Sequence, residues 1–269
     1  MMTSHQIRNL FITGMMLFAV QSYALNASIA TTSAYQELSQ QATSETFKYS
    51  HYFVFAPATG ETINLAAFAK VNATFPLPAK DYDRDSQFGE WIRPIKNSCL
   101  NTRGVVLQRD SSVGVSTNSS CTVTAGQWYD PYTNKNYTDA DDIQIDHVVA
   151  LKNAYMTGAH TWSNAKRCLY ANYLGNDFHL LSVNGPENMR KSDKSPLEWT
   201  PPNKSFICEY LRTWLEIKYI WELKLTPREV AAIENQLKEN QCSTEDMTVS
   251  TAEIQANRRY MEANKNLCQ

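Results

Sequence analysis

The chain has 269 residues, of which 43% are hydrophobic and 19% charged, and its formal net charge is −2. This length allows one or two domains with a sizeable core, and the apolar content excludes a chain that is disordered throughout. The near-neutral charge excludes binding of nucleic acid through overall charge, so any attraction to phosphate must be local.

Residues 1–24 predict a secretory signal peptide. Arg8 is the positive residue before an apolar run over residues 10–20, and Ser22-Tyr23-Ala24 fits a small-x-Ala cleavage site. The apolar run is too short to cross a bilayer as a helix, so we expect a secreted or periplasmic protein without stable membrane association. An uncleaved membrane anchor is the alternative interpretation.

Residues 25–76 predict an N-terminal extension. Residues 25–48 are rich in Ser, Thr, Ala and Gln, which is typical of a flexible or weakly helical leader. Residues 51–55 suit a short strand, and residues 62–71 suit a short amphipathic helix. His51 has no neighbouring acid, and we interpret it as a surface or strand residue.

The following segment predicts a small antiparallel sheet. Residues 104–109 and 121–129 alternate weakly between apolar and polar side chains, and a polar loop over residues 111–120 joins them. Residues 130–136 form a cluster of turn residues that leads into the central segment.

The central segment predicts two strands followed by a helix. Residues 143–148 suit a half-buried strand that contains Asp146-His147, and residues 179–183 suit a second strand. Asn184-Gly185-Pro186 predicts a turn, after which a short helix carries Asn188.

Helices are predicted around and after these strands. The segments with helical composition, periodicity or capping residues are 150–158, 163–171, 205–223, 226–239, and one from residue 250 to near Cys268. Residues 205–223 place apolar side chains at three- and four-residue steps, which we interpret as a core-facing stripe.

The six cysteines all follow the predicted cleavage site. An even number of cysteines behind a signal peptide predicts disulfides, and fifteen connectivities are open from the number alone. No pair has the C-x-x-C spacing of a zinc site. The cysteines are Cys99, Cys121, Cys168, Cys208, Cys242 and Cys268.

Asp146, His147 and Asn188 carry the groups that metal-assisted phosphodiester hydrolysis requires. A neutral imidazole takes a proton from water, which is the role predicted for His147. Mg²⁺ prefers oxygen ligands, so Asp146 and the amide oxygen of Asn188 are the predicted metal ligands. Neighbouring strand residues point to opposite faces, so Asp146 and His147 share a site only where the strand ends or bends.

Several motifs together resemble a known family of nucleases. Over residues 77–242 the chain is similar to secreted HNH endonucleases of the ββα-metal fold that are related to the C-terminal domain of GmrSD-type restriction endonucleases. The motifs are Tyr82-Asp83-Arg84-Asp85 with Phe88-Gly89, Cys99-Leu100-Asn101-Thr102-Arg103, Trp128-Tyr129-Asp130-Pro131-Tyr132-Thr133, Ile145-Asp146-His147-Val148-Val149-Ala150-Leu151, Leu180-Leu181-Ser182-Val183-Asn184-Gly185-Pro186, Asn188-Met189-Arg190-Lys191-Ser192-Asp193 and Trp199-Thr200-Pro201-Pro202.

The resemblance implies an α+β fold. It implies a ββα-metal (HNH) nuclease core on a small antiparallel sheet, buttressed by C-terminal helices and disulfides, with residues 243–269 as a helical extension. It implies hydrolysis of nucleic acid, with DNA favoured over RNA as the substrate. It also implies one divalent metal ion, for which Mg²⁺ is favoured and Mn²⁺, Ni²⁺ or Zn²⁺ are the alternatives. We expect a monomer with little sequence specificity. The implied disulfides are Cys99–Cys121, Cys208–Cys242 and the remaining pair Cys168–Cys268.

His179 departs from the family pattern, which usually has Asn at this position. We predict that His179 orients the loop that holds the catalytic base. A role as a metal ligand, which favours a transition metal, and a purely structural role are the alternatives.

Four cations are predicted to bind substrate phosphate. Arg190, Lys191 and Lys194 crowd beside Asn188, and Arg103 lies in a family motif. A structural salt bridge is the alternative for Arg103.

Other enzyme classes lack their motifs. The sequence contains neither the H-E-x-x-H of zinc proteases nor the G-x-S-x-G of serine hydrolases. The remaining alternative is a non-catalytic, disulfide-rich secreted binding protein, which explains the cysteines but not the spacing of Asp146, His147 and Asn188.

Overall fold

The computed structural model describes residues 53–55, 61–63, 78, 80–243 and 245–268. The predicted signal peptide, leader and His51 lie outside these residues. No helix in the described part is long and apolar enough to cross a membrane.

Helices and short strands alternate along the described part of the chain. The strands are β1 (Phe53–Phe55), β2 (Glu61–Ile63), β3 (Ser116–Thr117), β4 (Val123–Asp130), β5 (Lys135–Asp139), β6 (Ile143–His147), β7 (Leu180–Asn184) and β8 (Thr248–Val249). The α-helices are α1 (Arg84–Phe88), α2 (Thr102–Asp110), α3 (Leu151–Met156), α4 (Asn164–Ala171), α5 (Gly185–Lys191), α6 (Ile207–Ile220), α7 (Pro227–Glu239) and α8 (Thr251–Ala263). Short 3-10 helices are Ala140–Asp142, Ala159–Thr161 and Lys204–Phe206.

The strands form three small antiparallel sheets. Their orders are β1-β2-β8, β3-β4-β5 and β6-β7. The mixed helix-and-sheet architecture confirms the predicted fold class at this level.

The pair β6-β7 followed by α5 is the part of the fold that carries the candidate residues. Ile143 pairs with Asn184 and His147 with Leu180, so the two strands are in register along their whole length. Asn184 then caps α5 by accepting a hydrogen bond from the Glu187 amide. The predicted strands and short helix are confirmed, but Gly185 and Pro186 form the first turn of α5 and not the separate turn that was predicted.

The largest core cluster is organised around α6, most of whose residues are buried. The predicted stripe is confirmed, since its large apolar members are enclosed and each contributes about 1.5–3 kcal/mol on burial. These members are Tyr210, Leu211, Trp214, Ile217, Ile220 and Trp221. A capping box of Thr226 and Glu229 is present at the start of α7, where the sequence predicted a helix over residues 226–239.

Three disulfides join distant parts of the fold. They pair Cys99 with Cys121, Cys208 with Cys242 and Cys168 with Cys268, which confirms the implied connectivity. The last bridge connects residues that are 100 positions apart and ties the end of the chain to α4.

The prediction of a strand over residues 104–109 is wrong, because these residues lie in α2. The Asn101 side chain accepts a hydrogen bond from the Gly104 amide and thereby starts a helix. Val106 and Leu107 are then buried on one side of that helix. Capping and burial therefore outweigh the strand preference of the valines.

The predicted N- and C-terminal helices also need correction. Glu61–Ile63 is a strand, which replaces the start of the helix predicted over residues 62–71; residues 64–71 lie outside the described part. The last helix starts after Ser250 as predicted, but it ends at Ala263 and is followed by a turn before Cys268.

Candidate active site

Asp146 and His147 are the last two residues of β6, and their side chains lie on opposite faces of the strand. The Asp146 carboxylate contacts Tyr132 and Lys191. The His147 ring contacts Trp91 and the end of α4. The strand ends at His147, as expected, but it pairs regularly with β7 up to that residue, so no bend brings the two side chains onto one face.

The His147 imidazole is held by the last turn of α4. Its Nε2 lies 2.9 Å from the carbonyl oxygen of Ala171, and its ring stacks on Trp91 at a centroid distance of 5.3 Å and an interplanar angle of 2°. A carbonyl oxygen only accepts hydrogen bonds, so Nε2 carries the proton in the neutral ring and Nδ1 has the free lone pair. No described residue bonds to Nδ1.

Burial lowers the pKa of His147 to about 3. Arg84 and Lys191 lower the pKa further through their positive charges, and the bond to Ala171 acts in the opposite direction. His147 is therefore neutral at physiological pH, as a proton acceptor must be.

His179 is held in the same way, by the carbonyl of the α4 residue that precedes Ala171. Its Nε2 lies 2.9 Å from the carbonyl oxygen of Tyr170, and burial lowers its pKa to about 3. Its Nδ1 is enclosed and unbonded, among the rings of Tyr170, Tyr173 and Trp221. This enclosure leaves no room for the metal-ligand alternative and is compatible with an orienting or structural role.

Asn172, the residue after α4, fixes the segment that covers His147. Its side chain accepts a hydrogen bond from the Ile92 amide and donates one to the Glu90 carbonyl. These two bonds flank Trp91 and hold its indole against the imidazole. Consecutive positions at the end of α4 thus position both histidines and the covering tryptophan.

Asp146 forms a buried ion pair with Lys191. Its Oδ1 lies 2.8 Å from the Lys191 ammonium, and its Oδ2 accepts a hydrogen bond of 2.6 Å from the Tyr132 hydroxyl. Burial raises the pKa of Asp146, while Lys191 and Tyr132 favour the charged form. Lys191 also donates to the carbonyl of His147, which joins α5 to the end of β6.

These contacts do not fit a divalent ion held by Asp146. Both carboxylate oxygens are engaged, and the Lys191 ammonium stands where a cation would bind. The Asn188 amide donates to Gln144, which leaves only its oxygen for a ligand. Within the part of the chain that the structure describes, no group of three or more His, Cys, Asp and Glu side chains is arranged to hold a metal.

The four cations predicted to bind phosphate have other partners. Lys191 is fully buried and ion-paired, so we do not retain the phosphate-binding prediction for it. Arg190 pairs with Glu187, and Lys194 donates to the Arg190 carbonyl. Arg103 donates from Nη2 to two backbone carbonyls. These hydrogen bonds hold the side chain in place, whereas the alternative predicted for it was a salt bridge.

Arg84 and Trp91 also lie at the site, although no role was predicted for either from the sequence. Arg84 is exposed on α1, and its guanidinium carbon lies 6.0 Å from the centroid of the Trp91 ring. Its positive charge also lowers the pKa of His147. The Tyr82-Asp83-Arg84-Asp85 motif was a signal for Arg84, whereas the contact between Trp91 and His147 joins segments that no local pattern connects.

The molecule thus has a mixed helix-and-sheet fold. Its candidate site contains a buried histidine, which the end of a helix holds in place, and an exposed arginine nearby. The profile of the GmrSD restriction endonuclease C-terminal domain matches residues 108–235. An uncharacterized secreted protein of Arthroderma benhamiae is 39% identical over 160 residues, which are 60% of this chain and 76% of that protein. No solved structure matches the chain. The chain belongs to the GmrSD restriction endonuclease C-terminal domain family, which confirms the resemblance seen in its motifs.

Proposed function

We propose that this protein is a secreted endonuclease that hydrolyses phosphodiester bonds of nucleic acid with little sequence specificity, and that its substrate is DNA in preference to RNA. Its family connects it with restriction endonucleases, and a relative is a secreted protein. The N-terminal pattern and three disulfides support secretion. A ββα-metal core is part of the proposal, supported by the order β6, β7, α5.

The observation that carries the proposal is the state of the His147 ring. Because Ala171 accepts from Nε2, the free lone pair is on Nδ1, and the ring is neutral. Nδ1 accepts a proton from a water molecule as the water oxygen forms a bond to phosphorus. The bond from phosphorus to the leaving sugar oxygen breaks, and that oxygen takes a proton from solvent.

Arg84 supplies positive charge near His147, because it lies over the Trp91 ring and its charge lowers the pKa of His147. Its guanidinium makes no hydrogen bond or ion pair with any described residue. The guanidinium of Arg84 can therefore donate two parallel hydrogen bonds to a phosphate next to His147. These bonds stabilise the negative charge that develops on the phosphate oxygens during the reaction. The anionic phosphate in turn raises the proton affinity of His147.

The predicted divalent ion remains a prediction that rests on the family resemblance. Asp146 in its ion pair with Lys191 does not fit the role of ligand, so no step is assigned to a metal here. Assays with Mg²⁺, Mn²⁺, Ni²⁺, Zn²⁺ and EDTA decide whether the reaction needs one.

The deciding experiment incubates the purified, disulfide-bonded protein with plasmid DNA, single-stranded DNA and RNA. We expect His147→Ala to lower the cleavage rate by about 10²–10⁴-fold, because the proton acceptor is removed. His160→Ala is the matched control: its ring nitrogen also bonds a backbone carbonyl, that of Tyr155, and we expect wild-type cleavage.

Two outcomes contradict the proposal. Wild-type turnover in a folded His147→Ala variant removes His147 from the mechanism. If the folded wild-type protein leaves all three substrates intact with every metal, the non-catalytic binding protein becomes the better interpretation.

A further inference from the structure

A polar pocket of about 230 Å³ adjoins the candidate active site at Trp91, which lines it. Its polar lining includes two arginines, an amide and two hydroxyls: Arg93, Arg103, Asn101, Ser120 and Thr122. The Cys99–Cys121 disulfide forms part of its wall and joins the segments on which these residues lie. A pocket below the roughly 300–1,000 Å³ of sites for drug-sized ligands suits one small group.

The charge of the pocket selects an anion. No acidic residue is among the described residues that line it. Arg93 is exposed and makes no hydrogen bond or ion pair with any described residue. Arg103 is held by its two bonds to the carbonyls of Ala140 and Ile143, and its other guanidinium nitrogens make no such bond. One cation is therefore fixed in place while the other is free to close on a ligand.

Trp91 connects the pocket with the catalytic histidine. Its indole lines the pocket and also stacks on His147 at a centroid distance of 5.3 Å. The pocket and His147 therefore both adjoin the same residue. A nucleic-acid strand carries its phosphates at regular short intervals, so one strand can present one phosphate to the pocket and a neighbouring one to His147.

We infer that this pocket binds a phosphate group of the nucleic-acid strand adjacent to the phosphate at His147. This inference rests on the proposed function and adds a second phosphate site to it. Arg93 and Arg103 neutralise the bound phosphate, and the hydroxyls of Ser120 and Thr122 donate to its oxygens. The pocket holds the strand in position while His147 acts on the neighbouring linkage.

The test measures binding without cleavage. Fluorescence anisotropy of a labelled oligonucleotide of about 12 thymidine nucleotides is measured with full-length His147→Ala protein, with and without Arg93→Gln. Arg93→Gln is expected to weaken binding about tenfold and to reduce the salt slope by about 0.7, the value for one phosphate contact on a single strand. Arg228→Gln is the matched control, since Arg228 is exposed on α7 and does not line the pocket.

A second variant tests the pocket by adding charge to it. Ser120→Glu places a carboxylate at an exposed position of the lining, and we expect it to weaken binding at least as much as Arg93→Gln. Binding unchanged from the Arg228→Gln control in both variants overturns the inference. Failure of the proposed function is distinguishable, since it is read from cleavage by wild-type protein and not from binding by the inactive variant.

Discussion

At the residue scale, the proposed hydrolysis depends on which nitrogen of His147 carries its proton. The carbonyl of Ala171 fixes the proton on Nε2, and stacking on Trp91 keeps the ring in place. Burial and the nearby cations hold the pKa of the ring at about 3. The free protein therefore keeps an unprotonated Nδ1 over a wider pH range than an ordinary histidine does.

This pKa predicts the pH dependence of cleavage. The pH profile of kcat/KM reports the ionisation of the free enzyme, so protonation of His147 is expected to reduce kcat/KM only as the pH approaches about 3. We expect kcat/KM on a single-stranded oligonucleotide to stay level from about pH 8 down to about pH 5. A tenfold loss centred near the ordinary histidine value of about 6.5 contradicts the buried, Ala171-bonded state.

At the scale of elements, the junction of β6 with α5 is an ion pair in the protein interior. Lys191 reaches back from the end of α5 to Asp146 and to the carbonyl of His147. Removal of one partner from a buried pair leaves an unpaired charge, which is far more costly than the pair itself is stabilising. Lys191 thus acts on the fold around the histidine instead of on substrate.

Replacement of Lys191 tests this role. We expect Lys191→Met to lower the free energy of unfolding by about 3–5 kcal/mol, measured by urea denaturation, because Asp146 is left charged and buried. Lys194→Met, at an exposed position three residues later, is the control and is expected to change stability by less than about 0.5 kcal/mol.

Urea denaturation also tests whether Asp146 is a metal ligand. Because Lys191 already neutralises Asp146, we expect any effect of Mg²⁺ or EDTA on the urea midpoint to be the same in wild-type protein and in Asp146→Asn. A Mg²⁺-dependent stabilisation that disappears in Asp146→Asn would contradict this expectation and return Asp146 to the role of metal ligand.

Local signals predicted most of the elements that surround the site. The capping residues at Thr226 predicted the start of α7, and the helix that carries Asn188 was predicted, although it starts at Gly185 where a turn was expected. The prediction failed at α2, where Val105 and Val106 favour a strand but the Asn101 cap and burial against the rest of the fold produce a helix.

At the scale of the whole molecule, the site is assembled from segments far apart in the chain. Trp91, His147 and Asn172 meet only because the segment around Trp91 is bonded to the end of α4. Such contacts have no sequence period, so His147 could be predicted from the sequence but Arg84 and Trp91 could not. For the same reason Lys191 was predicted to bind phosphate: the ion pair with Asp146 exists only when α5 packs on β6.

The disulfides are expected to contribute unequally to stability because they close loops of different length. The Cys168–Cys268 pair spans 100 residues and the Cys99–Cys121 pair 22. Loop-closure entropy gives about 4.7 kcal/mol for the longer loop and about 3.4 kcal/mol for the shorter one. Cys168 lies on α4, two residues before the carbonyl that holds His179, so loss of this bridge also loosens the support of both histidines.

We therefore predict that replacement of Cys168 and Cys268 by serine lowers both the urea midpoint and the cleavage rate. Replacement of Cys99 and Cys121 by serine is expected to cost less stability, by about 1 kcal/mol, and to weaken oligonucleotide binding, because that bridge forms part of the pocket wall. Urea denaturation and anisotropy of the two double variants, compared with wild-type protein, measure both effects. The reverse order of stability, or wild-type cleavage by the variant without Cys168 and Cys268 under native conditions, would show that α4 holds the histidines without help from the chain end.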